Sequence, residues 1–379
     1  MDFTKVTNLM ESLSGVGIPG ADLAIYIKGK EVYRHYTGFA VLENKTPIAP
    51  DTLYAFWSMT KIVTCAAALR LYEEGRFLLN DPVSDYLPEF KNMDVQRTGE
   101  NGAVTISPAK NPIRVVDLFT MSSGLTYNMT PNLEKLFEEA GENHTLKEFT
   151  AAIAKDPLYF EPGTHWHYGF SHDILARLIE VLSGKTLGEY FYDNIFAPLG
   201  MNDTFFRVPQ EKQHRFVTCY TYDENEKTHK KTENPPLQFL NPDNKFESGG
   251  GGLVSTVDDY AKFANTLCAG GTAVNDYRLL GKGTIELMRT NHLDEVRMKD
   301  HGWPHHRDYG YGLGVRTMIE RTAGGDNSNI GAFGWSGMTG THVLIDPSAD
   351  LVFVYAQQLV PSKEEYVYAR LRNVIYGCL

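Results

Sequence analysis

The sequence predicts an α+β fold, an α/β sandwich in which one antiparallel sheet is formed by both chain ends and flanked by helices. Three observations predict it. Residues 21–42 read as a hairpin, residues 341–355 read as a second hairpin, and most of the chain between them carries helical periodicity. On this reading residues 1–80 and 245–379 build the sheet part. Residues 81–244 form an inserted, mostly helical part, and the 379 residues make a single unit.

The N-terminal hairpin runs Asp22-Leu23-Ala24-Ile25-Tyr26-Ile27, Gly29, then Val32 to Tyr36, with period-2 alternation in the second strand. Ile62, Val63, Cys65, Ala66, Leu69 and Leu71 recur at helical spacing until Gly75, which ends the helix as a C-cap. Leu78 to Val83 is a turn, Ile113 to Met121 a short helix, and Asn132 to Glu142 a polar helical region. Phe160-Glu161-Pro162-Gly163-Thr164 is a strong turn. It leads through His165-Trp166-His167-Tyr168 into an amphipathic helix from Asp173 to Leu182, closed by Gly184. Residues 222–247, charged and rich in Pro and Asn, read as an exposed loop. A helix follows over Val257 to Cys268, then a strand over Tyr309 to Val315. The hairpin of Thr341–Ile345 and Leu351–Tyr355 comes next, and a helix over Glu364 to Ile375 ends the chain.

Composition excludes several classes. A net charge of −11 gives nucleic acid or an anionic membrane no electrostatic attraction to this surface. No basic segment precedes a long apolar run, so no signal peptide is read, and no window reaches the length of a membrane span. The four cysteines are scattered without paired spacing, which fits reduced thiols and a cytoplasmic protein. The run Gly249 to Gly252 lacks the Lys-Ser/Thr of a phosphate loop, so nucleotide binding is rejected. His165 and His167, and the group His301, His305 and His306, have no Cys or carboxylate partners at zinc-like spacing. They read as loop or pocket-rim residues, and neither a metal nor an organic cofactor is expected.

Chemistry concentrates at Ser58-Met59-Thr60-Lys61. Ser58 stands at the start of a helix with Lys61 one turn later on the same face. A serine hydroxyl needs a base to become a nucleophile, and an amine within hydrogen-bond reach serves if its pKa falls. Burial and the positive end of the helix both disfavour an ammonium, so a lowered Lys61 pKa is expected.

The order of motifs resembles the serine β-lactamase and penicillin-binding-protein-like family, and within it the class C-like branch of esterases and D-amino-acid peptidases. The likeness covers nearly the whole chain. It includes Ser58-x-x-Lys61, Glu74-Gly75 through Asp81-Pro82-Val83, Ser123-Gly124-Leu125, Glu161-Pro162-Gly163, Pro198-Leu199-Gly200-Met201, Gly250-Gly251-Gly252-Leu253 and Gly340-Thr341. The resemblance implies a β-lactamase/transpeptidase-like fold with the active site between its two parts.

It also implies roles. Tyr168, in Tyr168-Gly169-Phe170, matches the family's Tyr-x-Asn tyrosine and would shuttle the Ser58 proton, itself or through Lys61. Phe170 stands where the family has an amide-binding Asn, so it adds apolar wall instead. Trp335-Ser336-Gly337 matches the family's Lys-Thr-Gly strand in the Trp-x-Gly form known in its esterases. The backbone amides of Ser58 and Met338 would form the oxyanion hole. Trp335 removes a cation that would meet a substrate carboxylate. Tyr127 and Trp303 are expected in the acyl pocket.

The function expected from this pattern is hydrolysis of a short-chain or hydrophobic carboxylic ester through a Ser58 acyl-enzyme, on a small-molecule substrate. The alternatives on the same site are a β-lactamase, a D-aminopeptidase or D-Ala carboxypeptidase, and an acyltransferase. A sensor domain that is acylated without turnover is the alternative of a different class.

Overall fold

Alternating side chains from the two ends of the chain meet in one sheet. A computed structural model describes residues 1–99, 102–141, 143–232, 237–303 and 306–379. The N-terminal strands are β1 (Gly20–Ile27), β2 (Lys30–Val41) and β3 (Thr46–Pro47). The middle of the chain contributes β4 (Tyr54–Ala55), the hairpins β5 (Asp94–Thr98)–β6 (Val104–Pro108) and β7 (Tyr220–Asp223)–β8 (Thr228–Lys231), and β9 (Val254–Ser255), which pairs with β4. The C-terminal strands are β10 (Tyr309–Tyr311), β11 (Arg316–Met318), β12 (Phe333–Ser336), β13 (His342–Asp346) and β14 (Leu351–Gln357). Eight of these form a sheet in the order β10-β11-β12-β13-β14-β1-β2-β3, with every neighbouring pair antiparallel.

The seam is β1 against β14, with Leu23 opposite Tyr355 and Ile25 opposite Phe353. The pleat then divides these strands between two cores. Val352, Val354 and Ala356 of β14 face the larger core with Ala24 of β1 and Val343 and Ile345 of β13. Leu351, Phe353 and Tyr355 face the opposite side with Leu23 and Ile25. The second side is covered by the two terminal helices, Thr4–Ser12 and Glu364–Tyr376, through Val6, Met10, Leu371 and Ile375. The first side is covered by the helix Val257–Cys268 and, beyond it, by Thr60–Glu73.

The Thr60–Glu73 helix is buried almost all round, from Thr60 through Leu69, as expected of a helix enclosed by a core rather than laid on a surface. Gly75, at φ +69°, follows it in the left-handed region and donates its amide to the Tyr72 carbonyl at 2.9 Å. The Ser171–Ser183 helix packs beside it and ends at Gly184, also left-handed. Among the described residues no helix is long and apolar enough to cross a membrane.

Two expectations change. The strand expected over Tyr309–Val315 is split into β10 and β11 by a tight turn in which the Gly312 amide donates to the Val315 carbonyl at 2.7 Å. The loop expected over 222–247 holds part of the β7–β8 hairpin and a short helix, Leu237–Leu240, with Phe239 fully buried. Its polar composition hid a few inward-facing aromatics.

Phe353 is fully buried on the side of the sheet away from Ser58. Phe353→Ala should lower unfolding free energy by about 3–5 kcal/mol, read from urea denaturation, without altering the cavity around Ser58.

Candidate active site

Ser58 lies in a short 3₁₀ turn, Trp57–Met59, that runs straight into the Thr60–Glu73 helix. Trp57 precedes it at φ +47°, a left-handed conformation that is costly for a bulky residue and is held from several sides. The Phe56 amide donates to the Leu253 carbonyl at 2.9 Å, and the Thr341 hydroxyl donates to the Phe56 carbonyl at 3.1 Å. The Trp57 ring meets Phe239 edge-on at 5.2 Å. Ser58 is thus presented by a kink clamped between β9, the β12–β13 turn and the 237–240 helix.

Lys61 is fully buried, and its ammonium has three donors for three acceptors. Nζ donates to Ser58 Oγ at 3.2 Å, to the Tyr127 phenol oxygen at 2.9 Å and to the Gly250 carbonyl. It also lies 4.7 Å from the centre of the Tyr168 ring. Burial alone would lower its pKa, but the facing Tyr127 and Tyr168 phenols more than reverse that and hold it above the ordinary lysine value. The lowered Lys61 pKa expected from burial and the helix start is therefore corrected: the resting side chain is an ammonium. Burial likewise pushes the Tyr127 phenol up, against the pull of Lys61, so Tyr127 rests neutral.

Gly250 is placed by Asp173, a buried carboxylate two residues into the Ser171–Ser183 helix. Asp173 Oδ1 accepts from Ser248 Oγ at 2.6 Å and from the Gly250 amide at 3.1 Å. A Cβ on Gly250 would stand 2.7 Å from Asp173 Oδ2, so a side chain there has no room. The glycine run rejected as a phosphate loop is a close-approach segment that aims a carbonyl at Lys61.

Tyr168 and Trp335 meet directly. The Trp335 indole N–H donates to the Tyr168 phenol oxygen at 3.0 Å, with the rings stacked at 5.5 Å. Gly337, just past the end of β12, passes so close to the Ser58 turn that a Cβ would lie 2.1 Å from Thr341 Oγ1 and 2.4 Å from the Phe56 carbonyl oxygen. Its amide is taken by the Thr341 carbonyl at 2.7 Å. The amides of Ser58 and Met338 have no acceptor among the described residues, which leaves both able to donate to an oxyanion.

These groups line a cavity of about 570 Å³ that also includes Trp57, Phe206, Phe239, Phe246 and Trp303. Phe170, at the start of the Ser171–Ser183 helix, meets Tyr127 edge-on at 4.7 Å and Phe149 at 5.0 Å, forming apolar wall. The Met338 side chain is half-exposed at the mouth. Ser336 alternates to the other side of β12 from Trp335. There its oxygen accepts from Arg316 Nη1 at 3.0 Å, and its hydroxyl donates to Glu364.

The family model described as Beta-lactamase matches residues 5–376. The chain belongs to the beta-lactamase family. As a member of this β-lactamase-fold serine hydrolase family, it is 30% identical over 352 residues to Protein Rv1367c of Mycobacterium tuberculosis, covering 91% of this chain and 86% of that one. Its fold is shared by solved structures, two of which follow. One is "EstCE1, a hydrolase with promiscuous acyltransferase activity", with TM-score 0.83 and 23% identity over 98% of each chain. The other is simvastatin synthase (LovD) from Aspergillus terreus, also with TM-score 0.83 and 23% identity, over 100% of this chain and 99% of that one.

Several positions at this candidate site were not legible in the sequence. Tyr127, expected only as pocket wall, accepts a hydrogen bond from Lys61. Asp173, Phe206, Arg316 and Glu364 carried no motif, and Phe239 and Phe246 lie in the segment 222–247 that read as loop. Of the histidines expected at loops or the rim, His165 is exposed against Asp300 at 2.9 Å. His301 and His306 are instead buried, and His305 lies outside the described residues. Burial and the nearby Arg316 charge pull His301 down to about 4, so it is a neutral packing residue against Trp166. Among the described residues no group of potential metal ligands occurs.

Burial pushes the Glu364 carboxyl up, but its hydrogen bond with His306 and the Arg316 charge more than reverse this and hold it well below the ordinary carboxylate range. A carboxylate with a depressed folded pKa stabilises the fold above its unfolded value of 4.5 and loses that contribution as pH falls through the folded pKa. Glu364→Gln should therefore cost about 2 kcal/mol at pH 7, and its gap from wild type in urea midpoint should narrow below about pH 4.

Proposed function

We propose that this protein is a carboxylesterase acting on neutral esters with a short or hydrophobic acyl group, through an acyl-enzyme on Ser58. The observation that carries the reading is the pairing of Ser58–Lys61 with a Tyr168 that receives an indole N–H, inside a cavity walled by aromatic rings. Lys61, as a fully hydrogen-bonded ammonium, is a poor base. The Ser58 proton passes instead to Tyr168 acting as the phenolate, which lies beside the Lys61 ammonium and receives the Trp335 N–H. Ser58 Oγ bonds to the ester carbonyl carbon, and the carbonyl electrons move to an oxyanion held by the Ser58 and Met338 amides. Collapse expels the alkoxide, which takes the proton from Tyr168. Water then attacks the acyl-enzyme by the same proton route and releases the carboxylic acid.

Phe170 and Trp335 support an ester over a peptide or β-lactam. Neither offers the amide or the cation that such substrates engage. The size of the cavity supports acyl transfer to an alcohol as a second reaction, since that step only replaces water by another hydroxyl. The printed description of EstCE1 points the same way. Four free cysteines agree with a reducing, cytoplasmic setting.

Intact-mass analysis after fluorophosphonate treatment should give one adduct on wild type and none on Ser58→Ala. Turnover of para-nitrophenyl butyrate should exceed that of nitrocefin and of a D-Ala amide, and faster nitrocefin hydrolysis would reject the esterase reading. Trp335→Phe keeps a ring but removes the N–H donated to Tyr168. It should lower kcat/KM by about tenfold, as for one hydrogen bond to a charged group, alongside a fall in melting temperature from the smaller buried ring.

A further inference from the structure

Beyond β12 the cavity has a second, polar wing, built around a buried cation. Arg316 is 1% exposed yet lines the cavity together with Ser336, His306 and Glu364. Its Nη1 donates to Ser336 Oγ at 3.0 Å, His306 Nε2 at 3.0 Å and Glu364 Oε1 at 3.2 Å. Its Nη2 donates to His342 Nε2 at 2.8 Å. Burial and the Arg316 charge hold His342 far below the usual histidine range, so it is a neutral acceptor. With Nε2 accepting, Nδ1 carries the proton and donates to Ser336 Oγ at 2.6 Å, and the Ser336 hydroxyl in turn donates a hydrogen bond to the Glu364 carboxylate.

Glu364 Oε1 thus collects Arg316 and Ser336, while Oε2 has no partner among the described residues and the side chain remains 24% accessible. The neighbouring charges are satisfied elsewhere: Arg372 pairs with Asp326 at 2.6 Å and Lys363 with Glu224 at 2.6 Å. A cation does therefore reach the pocket, on the strand next to Trp335, but it is already paired when substrate arrives. An incoming carboxylate would meet an unpartnered carboxylate oxygen of like charge in a desolvated wing.

We propose that Glu364 is a specificity-determining residue: it occupies Arg316 in place of a substrate carboxylate and thereby restricts the site to neutral esters. This deepens the ester reading and rests on it. Specificity here comes from a repulsive group as much as from the apolar wall. Removing the Glu364 charge leaves a buried guanidinium without a counterion, which a substrate carboxylate of suitable reach would then supply.

The test compares kcat/KM for matched pairs. Para-nitrophenyl hexanoate is set against mono-para-nitrophenyl adipate, which places the charge on the acyl side. Methyl para-acetoxybenzoate is set against para-acetoxybenzoate, which places it on the alcohol side. Wild type should favour the neutral partner in both pairs by at least about tenfold, the scale of one charge contact near a surface. Glu364→Gln should raise the anionic-to-neutral ratio about tenfold in one pair or both, chiefly through KM. Adding Arg316→Gln to that variant should cancel the gain, and Glu364→Asp, which keeps the charge, should retain the wild-type ratio. Equal use of neutral and anionic partners by wild type would overturn the inference without any variant. So would an unchanged ratio in Glu364→Gln, with the ester reading left standing. Failure to turn over either neutral ester would overturn the ester reading and this inference together.

Discussion

A lysine ammonium buried away from water is the constraint on which the rest of this structure depends. A charge in that position is tolerated only if every proton finds an acceptor, and two of the three acceptors come from remote parts of the chain. Ser58 is one helical turn away, Tyr127 arrives from the helical region, and the Gly250 carbonyl is delivered by a glycine run pinned on Asp173. Saturation makes the amine a fixed electrostatic element. It orients the serine oxygen and charges the space in front of two phenols.

The sheet supplies the other half of the arrangement through its alternation. On β12, successive residues point to opposite sides, so Trp335 and Ser336 serve different neighbourhoods. Trp335 reaches over the larger core to Tyr168, and Ser336 joins a polar network that ends at the first residue of the C-terminal helix. One strand end therefore contributes an indole to the reacting centre and anchors an ion pair at the edge of the same cavity. Gly337 follows, and its missing Cβ allows the strand end to close on the turn that carries Ser58.

Much of the fold was legible because the signals were periodic. The period-2 run of Val32 to Tyr36 gave a strand, hairpins were read at both ends, and the Val257–Cys268 helix was read to the residue. Residues 222–247 misled because composition there is set by the exposed majority. The few side chains that turn inward, Phe239 and Phe246 among them, show no period in a chain that changes direction every few residues. The β10–β11 strands misled for the opposite reason. Glycines spaced through Tyr309–Val315 look like one alternating strand, although Gly314 at φ +83° turns the chain back.

The sequence by itself determined the antiparallel α+β frame and the family, and it singled out the Ser58–Lys61 pair and the distant segments at Tyr168 and Trp335, since these depend on local spacing and on residue type. Only the tertiary structure decided the charge states and the partners. Lys61 looked like a depressed amine from its helix position, yet the Tyr127 phenol and the Gly250 carbonyl, 66 and 189 residues away, accept its protons. Trp335 looked like a missing cation, yet Arg316 stands on the adjacent strand, paired to Glu364. Protonation and charge pairing are set by what surrounds a group in space, and that is information a linear spacing does not contain.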